Sequence, residues 1–316
     1  MVFMASVKFG VQFKQEFESY DGLRDAVQSV YELGFVSAWL YDHLYPVRGK
    51  PNLESWTTLS ALAADTEYIR LGTLVSCNAF RYPQLLVKMA STVDVISNGR
   101  LEFGIGMGWY KKEHLAYGIP FPDLKTRTEQ LEEALQIIKG MWAGDRASFQ
   151  GKHYFVQDVE LQPKPIQKPH PPIWIGGNSV EVLALVAKYG NASNLVYTSP
   201  EESRMKNEFL SKECRKQGRD YDSIVKSWHG HLYLSDDAAK SREEALERKR
   251  TSIYAKIRAL SDEEYLKRAV CGTSDQCIDR IQEFVDAGIS CFIFSEPSTL
   301  RPEPRRFSKD VMPSFA

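Results

Sequence analysis

The stretch PPIWIGGNSVEVLALVAKYG, residues 171–190, contains the unit from which the chain is built. Its short apolar run, Ile173–Ile175, predicts a buried strand. Ser179 then begins a segment with apolar residues at helical spacing, and Gly190 follows where a helix would end. A strand, a glycine turn and an amphipathic helix in this order are typical of a βα unit in a parallel sheet.

This alternation of short β-branched or aromatic runs with amphipathic segments recurs eight times along the 316 residues. The predicted strands are Val7–Phe13, Val36–Tyr41, Ile69–Ser76, Arg100–Ile105, Ile173–Ile175, Ala192–Tyr197, Ile224–Leu234 and Cys291–Phe294. Eight parallel strands close naturally into a barrel. The sequence therefore predicts an α/β fold, a single (β/α)8 TIM barrel in which residues 1–316 form one domain.

One irregular segment, residues 143–172, interrupts this rhythm. It contains a predicted hairpin, Ala147–Gln150 and His153–Val156 joined by Gly151-Lys152, and then five prolines. A linker here would divide the chain into two domains, whereas an insertion would form a lid or wall at the C-terminal mouth of the barrel. We favour the insertion, because half of the strands cannot close a barrel alone.

The composition favours a small-molecule partner. Lys and Arg number 40 and Asp and Glu 41, so the chain lacks the basic excess typical of proteins that bind nucleic acid or anionic membranes. The five cysteines are scattered and form no C-x-x-C pair, which indicates reduced thiols. No signal peptide pattern and no apolar run near the ~20 residues of a membrane span are present. We therefore expect a cytoplasmic protein.

Asp42 and His43 follow the second predicted strand, at the barrel face where catalytic groups collect. Histidine is the side chain best suited to exchange a proton near neutral pH, and Asp42 would hold the neighbouring backbone or ring. The alternative is a helix-capping aspartate beside a partly exposed histidine.

Two glycine-rich turns also follow predicted strands. Gly104, Gly106 and Gly108 do not form a dinucleotide fingerprint, because in G-x-G-x-x-G spacing from Gly104 the last glycine would stand where the chain has Trp109. These glycines would still let backbone approach a phosphate or a flat ring. Gly176 and Gly177 precede a helix start, where backbone N–H groups and the helix dipole favour an anion such as phosphate. In both places an ordinary tight turn is the alternative.

A metal site is a separate hypothesis. His229 and His231 alternate along a predicted strand, so both imidazoles would face one side and could bind a metal as in barrel hydrolases. No other strand ends in an obvious second set of ligands, so we interpret both histidines as core or wall residues and predict no metal.

With these segments placed, the chain resembles the bacterial-luciferase-like superfamily, and within it the F420-dependent oxidoreductase branch, over nearly its whole length. The segments that carry the resemblance are Lys8–Gln12, Gly34-Phe35, Tyr41–Leu44, Arg70–Ser76, Phe80–Pro83, Asp94–Leu101, Gly104–Trp109, Glu113, Gly118–Pro120, Arg127, Pro171–Gly177, Gly272-Thr273 and Asp286–Gly288. Each is a modest signal, but their order and spacing together are specific.

The resemblance implies a cofactor ring lying across the strand ends, with its phosphate tail at Gly176-Gly177 and His43 near its reactive carbon. The cofactor would be the deazaflavin coenzyme F420, with FMN in a flavin monooxygenase as the alternative. A non-proline cis peptide at Leu74-Val75 is implied as a bulge behind the ring. The residues expected to contact the cofactor are Asp42, Leu74, Val75, Gly106, Met107, Gly108, Gly176, Gly177 and Asn178.

The chain also departs from the family pattern. Members that oxidise sugar phosphates carry a glutamate where this chain has Trp109, so a flatter or more apolar substrate is expected. Glu16 is a candidate replacement acid, with an exposed loop carboxylate as the alternative. The resemblance further suggests a homodimer. We therefore expect an oxidoreductase that transfers a hydride between F420 and a small organic substrate, with His43 and Glu16 as the candidate catalytic residues.

Overall fold

A computed structural model describes residues 6–16, 19–45, 51–252, 254–295 and 303–316. The strands are β1 (Lys8–Phe13), β2 (Ser37–Leu40), β3 (Arg70–Thr73), β4 (Ser76–Cys77), β5 (Leu101–Gly106), β6 (Arg146–Gln150), β7 (Phe155–Glu160), β8 (Ile173–Gly176), β9 (Ala192–Val196), β10 (Val225–Gly230), β11 (Leu232–Leu234), β12 (Val270–Gly272) and β13 (Cys291–Ser295).

The helices are α1 (Tyr20–Glu32), α2 (Ser55–Asp65), α3 (Pro83–Ile96), α4 (Lys111–Ala116), α5 (Leu124–Ala143), α6 (Val180–Tyr189), α7 (Pro200–Lys216), α8 (Ala238–Arg250), α9 (Ala255–Arg258), α10 (Asp262–Leu266), α11 (Ser274–Asp286) and α12 (Glu303–Asp310), followed by a 3-10 turn, Met312–Phe315. Within the described ranges, none of these helices combines the length and the apolar character needed to cross a bilayer.

Eight parallel strands close into the predicted barrel. Their order is β3, β2, β1, β13, β10, β9, β8 and β5, and β5 pairs again with β3 to complete the ring. The amphipathic helices cover the outside of this α/β barrel. Helix α6, for example, buries Val182 and Val186, and the side chain of Ser179 caps its N-terminus. The (β/α)8 barrel predicted from the sequence is confirmed.

Two predicted strands are divided in the structure. Ile69–Ser76 is interrupted at Leu74-Val75, so that β3 and β4 pair separately with β5. Ile224–Leu234 leaves the barrel after Gly230, and its second part pairs with Val270–Gly272, a strand that the sequence analysis missed. Three-residue strands carry too few positions for a periodic pattern, which is why β12 was not predicted.

Alternate residues of the barrel strands face the lumen and the helices. The inner cluster consists of Trp39, Leu74, Trp174, Ala192, Cys291 and Ile293. The outer cluster includes Val11, Ala38 and Leu40, which pack the barrel against its helices. Continued past the end of β2, this two-residue period places His43 on the lumen side and Asp42 on the helix side.

The insertion at residues 143–172 begins and ends at the amino-terminal face of the barrel, because it joins the end of α5 to the start of β8. Its hairpin, β6 and β7, is antiparallel as predicted, and the residues after its turn reach toward the mouth, where Tyr154 Oη lies 3.1 Å from Asn78 Nδ2. A second insertion, residues 235–269, joins β11 to β12 and contains α8, α9 and α10.

Candidate active site

The floor of the mouth is formed by the break between β3 and β4. The peptide bond between Leu74 and Val75 is cis, as the resemblance implied. The N–H of Leu74 donates to Leu40 O at 2.8 Å, and its carbonyl accepts from Gln12 Nε2 at 2.7 Å. Val75 packs against the inner cluster and is only partly buried, so the floor of the mouth is apolar at this point.

Glycines make room for Val75. A Cβ at Gly106 would lie 2.8 Å from Val75 Cγ2, and a Cβ at Gly176 would lie 2.9 Å from Val75 Cγ1. One layer deeper, a Cβ at Gly104 would approach the carbonyl oxygen of Thr73 to 1.9 Å. These glycines therefore allow the bulge to pack, and they leave a floor without large side chains.

His43 is held by a carboxylate from helix α4. Its Nδ1 lies 2.8 Å from Oε2 of Glu113, which is 1% exposed. The other oxygen, Oε1, accepts hydrogen bonds from the N–H groups of Leu44 at 2.5 Å and Tyr45 at 2.8 Å. Because a carboxylate can only accept, Nδ1 of His43 carries the proton toward Glu113, which leaves Nε2 as the nitrogen that can exchange a proton with a ligand.

Glu113 belongs to this candidate site, although the sequence analysis gave it no role. It lies on α4, 70 residues after His43, and no local spacing links the two. The one signal that could have identified Glu113 is that it is among the residues that carry the family resemblance.

Asp42, which the resemblance places among the residues that contact the cofactor, is held by hydrogen bonds within the chain. Its two oxygens accept from Ser55 Oγ at 2.6 Å, from Cys77 N at 2.9 Å, and from both terminal nitrogens of Arg81 at 2.8 and 3.0 Å. Four hydrogen bonds fill the acceptor capacity of a carboxylate. Asp42 therefore ties the end of β2 to β4 and to α2, and so fixes the backbone that carries His43.

The loop after β8 has the features of an anion site. Gly177 has a φ of +144° and is followed by the N-terminus of α6. The side chain of Asn178, predicted to contact the cofactor, exchanges two hydrogen bonds with the backbone of Val196, at 2.7 and 2.8 Å. Lys206 of α7, which the sequence analysis missed, places its ammonium 2.6 Å from Asn178 O. Helix dipole and ammonium together favour a phosphate here.

Met107 and Gly108 differ in what they offer. The side chain of Met107 packs against the outer cluster and lies 3.2 Å from Thr128 Oγ1, so it turns away from the lumen. Gly108 has a φ of +75°, and a Cβ there would lie 2.6 Å from Cys77 Sγ. Arg127 donates to the carbonyl of Gly108 at 2.6 Å and fixes this turn. The backbone of the turn, rather than the side chain of Met107, borders the mouth.

Glu16, the second predicted catalytic residue, lies at the edge of the same region. Its Oε1 is 3.5 Å from the hydroxyl of Tyr41, whose ring centroid is 5.1 Å from that of His43. One aromatic side chain therefore separates Glu16 from His43. A general acid at this position would act through Tyr41 rather than beside the imidazole.

His229 and His231 are engaged by hydroxyl groups. His229 is buried, with Nε2 2.7 Å from Ser295 Oγ, and His231 Nε2 lies 2.9 Å from Tyr197 Oη. Among the residues that the structure describes, no three His, Cys, Asp or Glu side chains lie close enough together to hold a metal ion. His229 is therefore part of the core, and His231 is partly buried beside Tyr197.

Burial, with a smaller contribution from the positive charge of Lys14, lowers the pKa of His229 from 6.5 to about 3. The unfolded chain therefore takes up a proton below pH 6.5 that the folded chain excludes, and stability falls as the pH falls through this window. At pH 5.5 the loss from this residue is about 1.4 kcal/mol relative to pH 7.5.

Denaturant titrations at pH 7.5 and 5.5 measure this effect in the parent protein and in His229→Gln, whose amide can still bond to Ser295. Between pH 7.5 and 5.5, we expect the free energy of unfolding to fall by about 1.4 kcal/mol less in the variant than in the parent. Equal losses in both proteins would contradict the assignment to His229.

An aromatic wall stands above His43. Trp109 lies edge-on to the imidazole, with ring centroids 5.7 Å apart. Tyr254, from the second insertion, stacks on Trp109 at 4.5 Å and contacts Tyr197 at 5.9 Å. The mouth therefore combines a flat floor, a carboxylate-held imidazole and an aromatic wall.

Comparison with known proteins agrees with this geometry. The sequence model of the luciferase-like monooxygenase family matches residues 1–291. The chain belongs to the luciferase-like monooxygenase family. This confirms the family inferred from the sequence segments.

Two curated members differ in the cofactor that their names give. An F420-dependent glucose-6-phosphate dehydrogenase of Microbacterium testaceum is 28% identical, and the alignment covers 97% of each chain. An FMNH2-dependent dimethylsulfone monooxygenase of Pseudomonas putida is 36% identical over 40% of this chain and 34% of its own length. Of these two members of the luciferase-like monooxygenase family, the one that aligns over nearly the whole chain is described as F420-dependent.

The solved structures support the fold. The coenzyme F420 dependent tetrahydromethanopterin reductase of Methanopyrus kandleri superposes with a TM-score of 0.84 over 99% of this chain and 100% of that chain, at 19% identity. At this identity the likeness concerns the barrel of the luciferase-like monooxygenase family and not the substrate.

Proposed function

We propose that this protein is an F420-dependent oxidoreductase that transfers a hydride between the deazaflavin and a small organic substrate. The observation that carries the proposal is the His43–Glu113 pair beside a glycine floor, at the carboxyl ends of the barrel strands. The F420-dependent relative aligned over 97% of the chain supports the choice of cofactor.

The residues present fit a flat ring with an anionic tail. The inward positions Gly106 and Gly176 carry no side chain, so the surface beside Val75 can receive a planar group. The loop at Gly177, with the N-terminus of α6 and the ammonium of Lys206 beside it, offers donors to a phosphate. These residues would hold the ring and the tail respectively.

When bound, F420 would supply the carbon that accepts or donates the hydride. The chain supplies the proton transfer. His43, with Nδ1 fixed by Glu113, would remove the proton of a substrate hydroxyl through Nε2 or return it to a carbonyl. Asp42 and Arg81 keep the strand end in place, so that the imidazole does not have to be reoriented during the reaction.

Two surface lysines near the mouth are candidates to meet the negatively charged outer part of the F420 tail, beyond the phosphate that the Gly177 loop would hold. Lys111 and Lys112 begin α4 next to Glu113, and the ammonium of Lys112 lies 5.0 Å from the ring centroid of Tyr45. The cationic groups of α4 are therefore positioned on the His43 side of the mouth.

Titration of the apoprotein with F420 and, separately, with FMN tests the cofactor. We expect calorimetry and visible absorbance to give an F420 dissociation constant at least about tenfold below that of FMN. Lys206→Ala should weaken F420 binding about fivefold, since it removes a cation beside the tail. The control is Lys212→Ala, an exposed lysine on the same helix. Tighter binding of FMN would replace the proposal with the reduced-FMN monooxygenase.

We also propose a domain organisation, a compartment and an oligomeric state for the enzyme. Residues 1–316 act as one barrel domain in the cytoplasm, in keeping with five free cysteines of which four are buried. The enzyme is a homodimer, supported by the exposed apolar side chains Tyr82 and Leu85 at the start of α3 and Phe155 on the hairpin.

A further inference from the structure

Two adjacent strand ends meet a helix of the second insertion across the mouth from His43. Around the ring of eight strands, β9 stands four places from β2 in either direction, so Tyr197, which follows β9, lies on the opposite side. His231 follows the neighbouring strand β10, and its Nε2 lies 2.9 Å from the hydroxyl oxygen of Tyr197. Nε of Arg248, on α8, donates to the same Nε2 at 3.4 Å. These three side chains, here called the Arg248 cluster, therefore form one hydrogen-bonded group at this edge of the mouth.

Within the described part of the chain, Arg248 has no counter-ion. The two basic residues that follow it on α8 are paired, Lys249 with Asp262 at 2.6 Å and Arg250 with Glu243 at 2.8 Å. Arg248 itself is partly buried, and its two terminal nitrogens donate to none of the residues that the structure describes. Withdrawing a cation from water without a counter-ion is unfavourable, so this guanidinium is available to an anionic ligand.

The hydrogen bond to His231 determines which atoms of Arg248 remain for a ligand. A guanidinium binds a carboxylate best through two parallel N–H groups, and its two terminal nitrogens form one such pair. Because Nε2 of His231 accepts from Arg248, it carries no proton, and the hydroxyl of Tyr197 donates to it as well. Tyr197 and His231 therefore orient the guanidinium, and the terminal nitrogens of Arg248 are the donors that can meet an anion.

Tyr197 is held in a backbone conformation that a tyrosine rarely adopts. Its φ is +52°, in the left-handed region, which is unfavourable for a bulky side chain. Such strain persists only where surrounding contacts impose it, and it is concentrated at ligand sites. Here the N–H of Tyr197 donates to His229 O at 2.9 Å, and its hydroxyl reaches His231. A strained residue and an unpaired cation, which are independent features, therefore coincide in the Arg248 cluster.

We propose that the Arg248 cluster binds a carboxylate of a ligand in the mouth. One planar pair of donors matches the two oxygens of one carboxylate. The site itself stands apart from the proposed function, whereas the source of the carboxylate rests on it, since either the substrate or the outer part of the F420 tail carries the group. A substrate held here by its carboxylate and reacting at His43 would span the barrel mouth, as a hydroxy acid or the corresponding oxo acid. A tail carboxylate would instead anchor the cofactor beyond the Gly177 loop.

Matched probes test the site. Hexanoate and hexanamide have nearly the same size and shape, and only hexanoate is charged at neutral pH. In NMR titrations of the protein, the Nε–H resonance of Arg248, assigned by its loss in Arg248→Gln, should shift with hexanoate at least about fivefold more than with hexanamide at equal concentration. By ligand-observed NMR, Arg248→Gln should weaken hexanoate binding about tenfold. The control is Arg250→Gln, on the same helix and already paired with Glu243, which should bind hexanoate within about twofold of the parent.

Repeating the titrations with F420 bound identifies the source of the carboxylate. If the F420 tail occupies the site, F420 abolishes the hexanoate shift, and Arg248→Gln weakens F420 binding about fivefold. If the substrate occupies it, the shift persists beside F420, and Arg248→Gln leaves the affinity for F420 within about twofold. Equal responses to hexanoate and hexanamide without F420, or undiminished hexanoate binding in Arg248→Gln, overturn the site. Failure of F420 itself to bind would instead overturn the proposed function, because the titration without F420 reports on the Arg248 cluster alone.

Discussion

Replacing His43 by alanine is expected to lower kcat by about 10²–10⁴-fold, the usual contribution of a positioned general acid or base. Glu113 binds Nδ1 of His43, so Nε2 is the nitrogen that can exchange a proton with the substrate. Without the imidazole, the substrate oxygen has no group with which to exchange its proton. The dissociation constant of F420 should change less than about threefold, because the substitution leaves the glycine floor and the loop at Gly177 unchanged. Steady-state kinetics and an F420 titration of the same variant measure the two quantities.

A matched control separates chemistry from folding. His153→Ala removes a histidine of the hairpin that lies outside the site. Its Nε2 lies 3.0 Å from Oε2 of Glu129 on α5. We expect its kcat to stay within about twofold of the parent, and added imidazole to restore part of the activity of His43→Ala. A His43→Ala enzyme with nearly parental kcat would assign the proton transfer to another group, with Glu16 as the next candidate.

Gly104→Ala should be the most destabilising single methyl addition in the barrel. The new Cβ would lie 1.9 Å from the carbonyl oxygen of Thr73, which is backbone and cannot rotate away, and 3.1 Å from Val75 Cγ1. Overpacking of this kind usually costs about 1–3 kcal/mol, and a clash with backbone in a closed barrel lies at or above the upper end. Chemical denaturation should show a loss of about 3 kcal/mol or more.

Gly140→Ala is the control for that measurement. Gly140 lies within α5, and nothing stands within 4 Å of the added Cβ. An alanine there should stabilise the helix by roughly 0.5–1 kcal/mol, because it restricts the unfolded chain and raises the helix propensity. If both variants unfolded like the parent, the close packing of the bulge against β5 would be wrong.

The local sequence determined the elements of the fold and their order. Apolar runs of strand length, helices with side chain caps such as Ser179 and Thr273, and glycine stops are short-range signals, and they placed all eight barrel strands. The same signals placed His43 at a strand end, and the resemblance identified the cis bond at Leu74-Val75. Boundaries were less certain where a strand leaves the barrel, as at Gly230.

Only the tertiary structure decided which contacts the site residues make. The two-residue period of β2 sends Asp42 to the helix layer and His43 to the lumen, and which side is which depends on how the barrel closes. Glu113 meets His43 across 70 residues, and Tyr254 meets Trp109 across more than twice that separation. Contacts of this kind arise from closing the sheet on itself, and no pattern within a single βα unit encodes them.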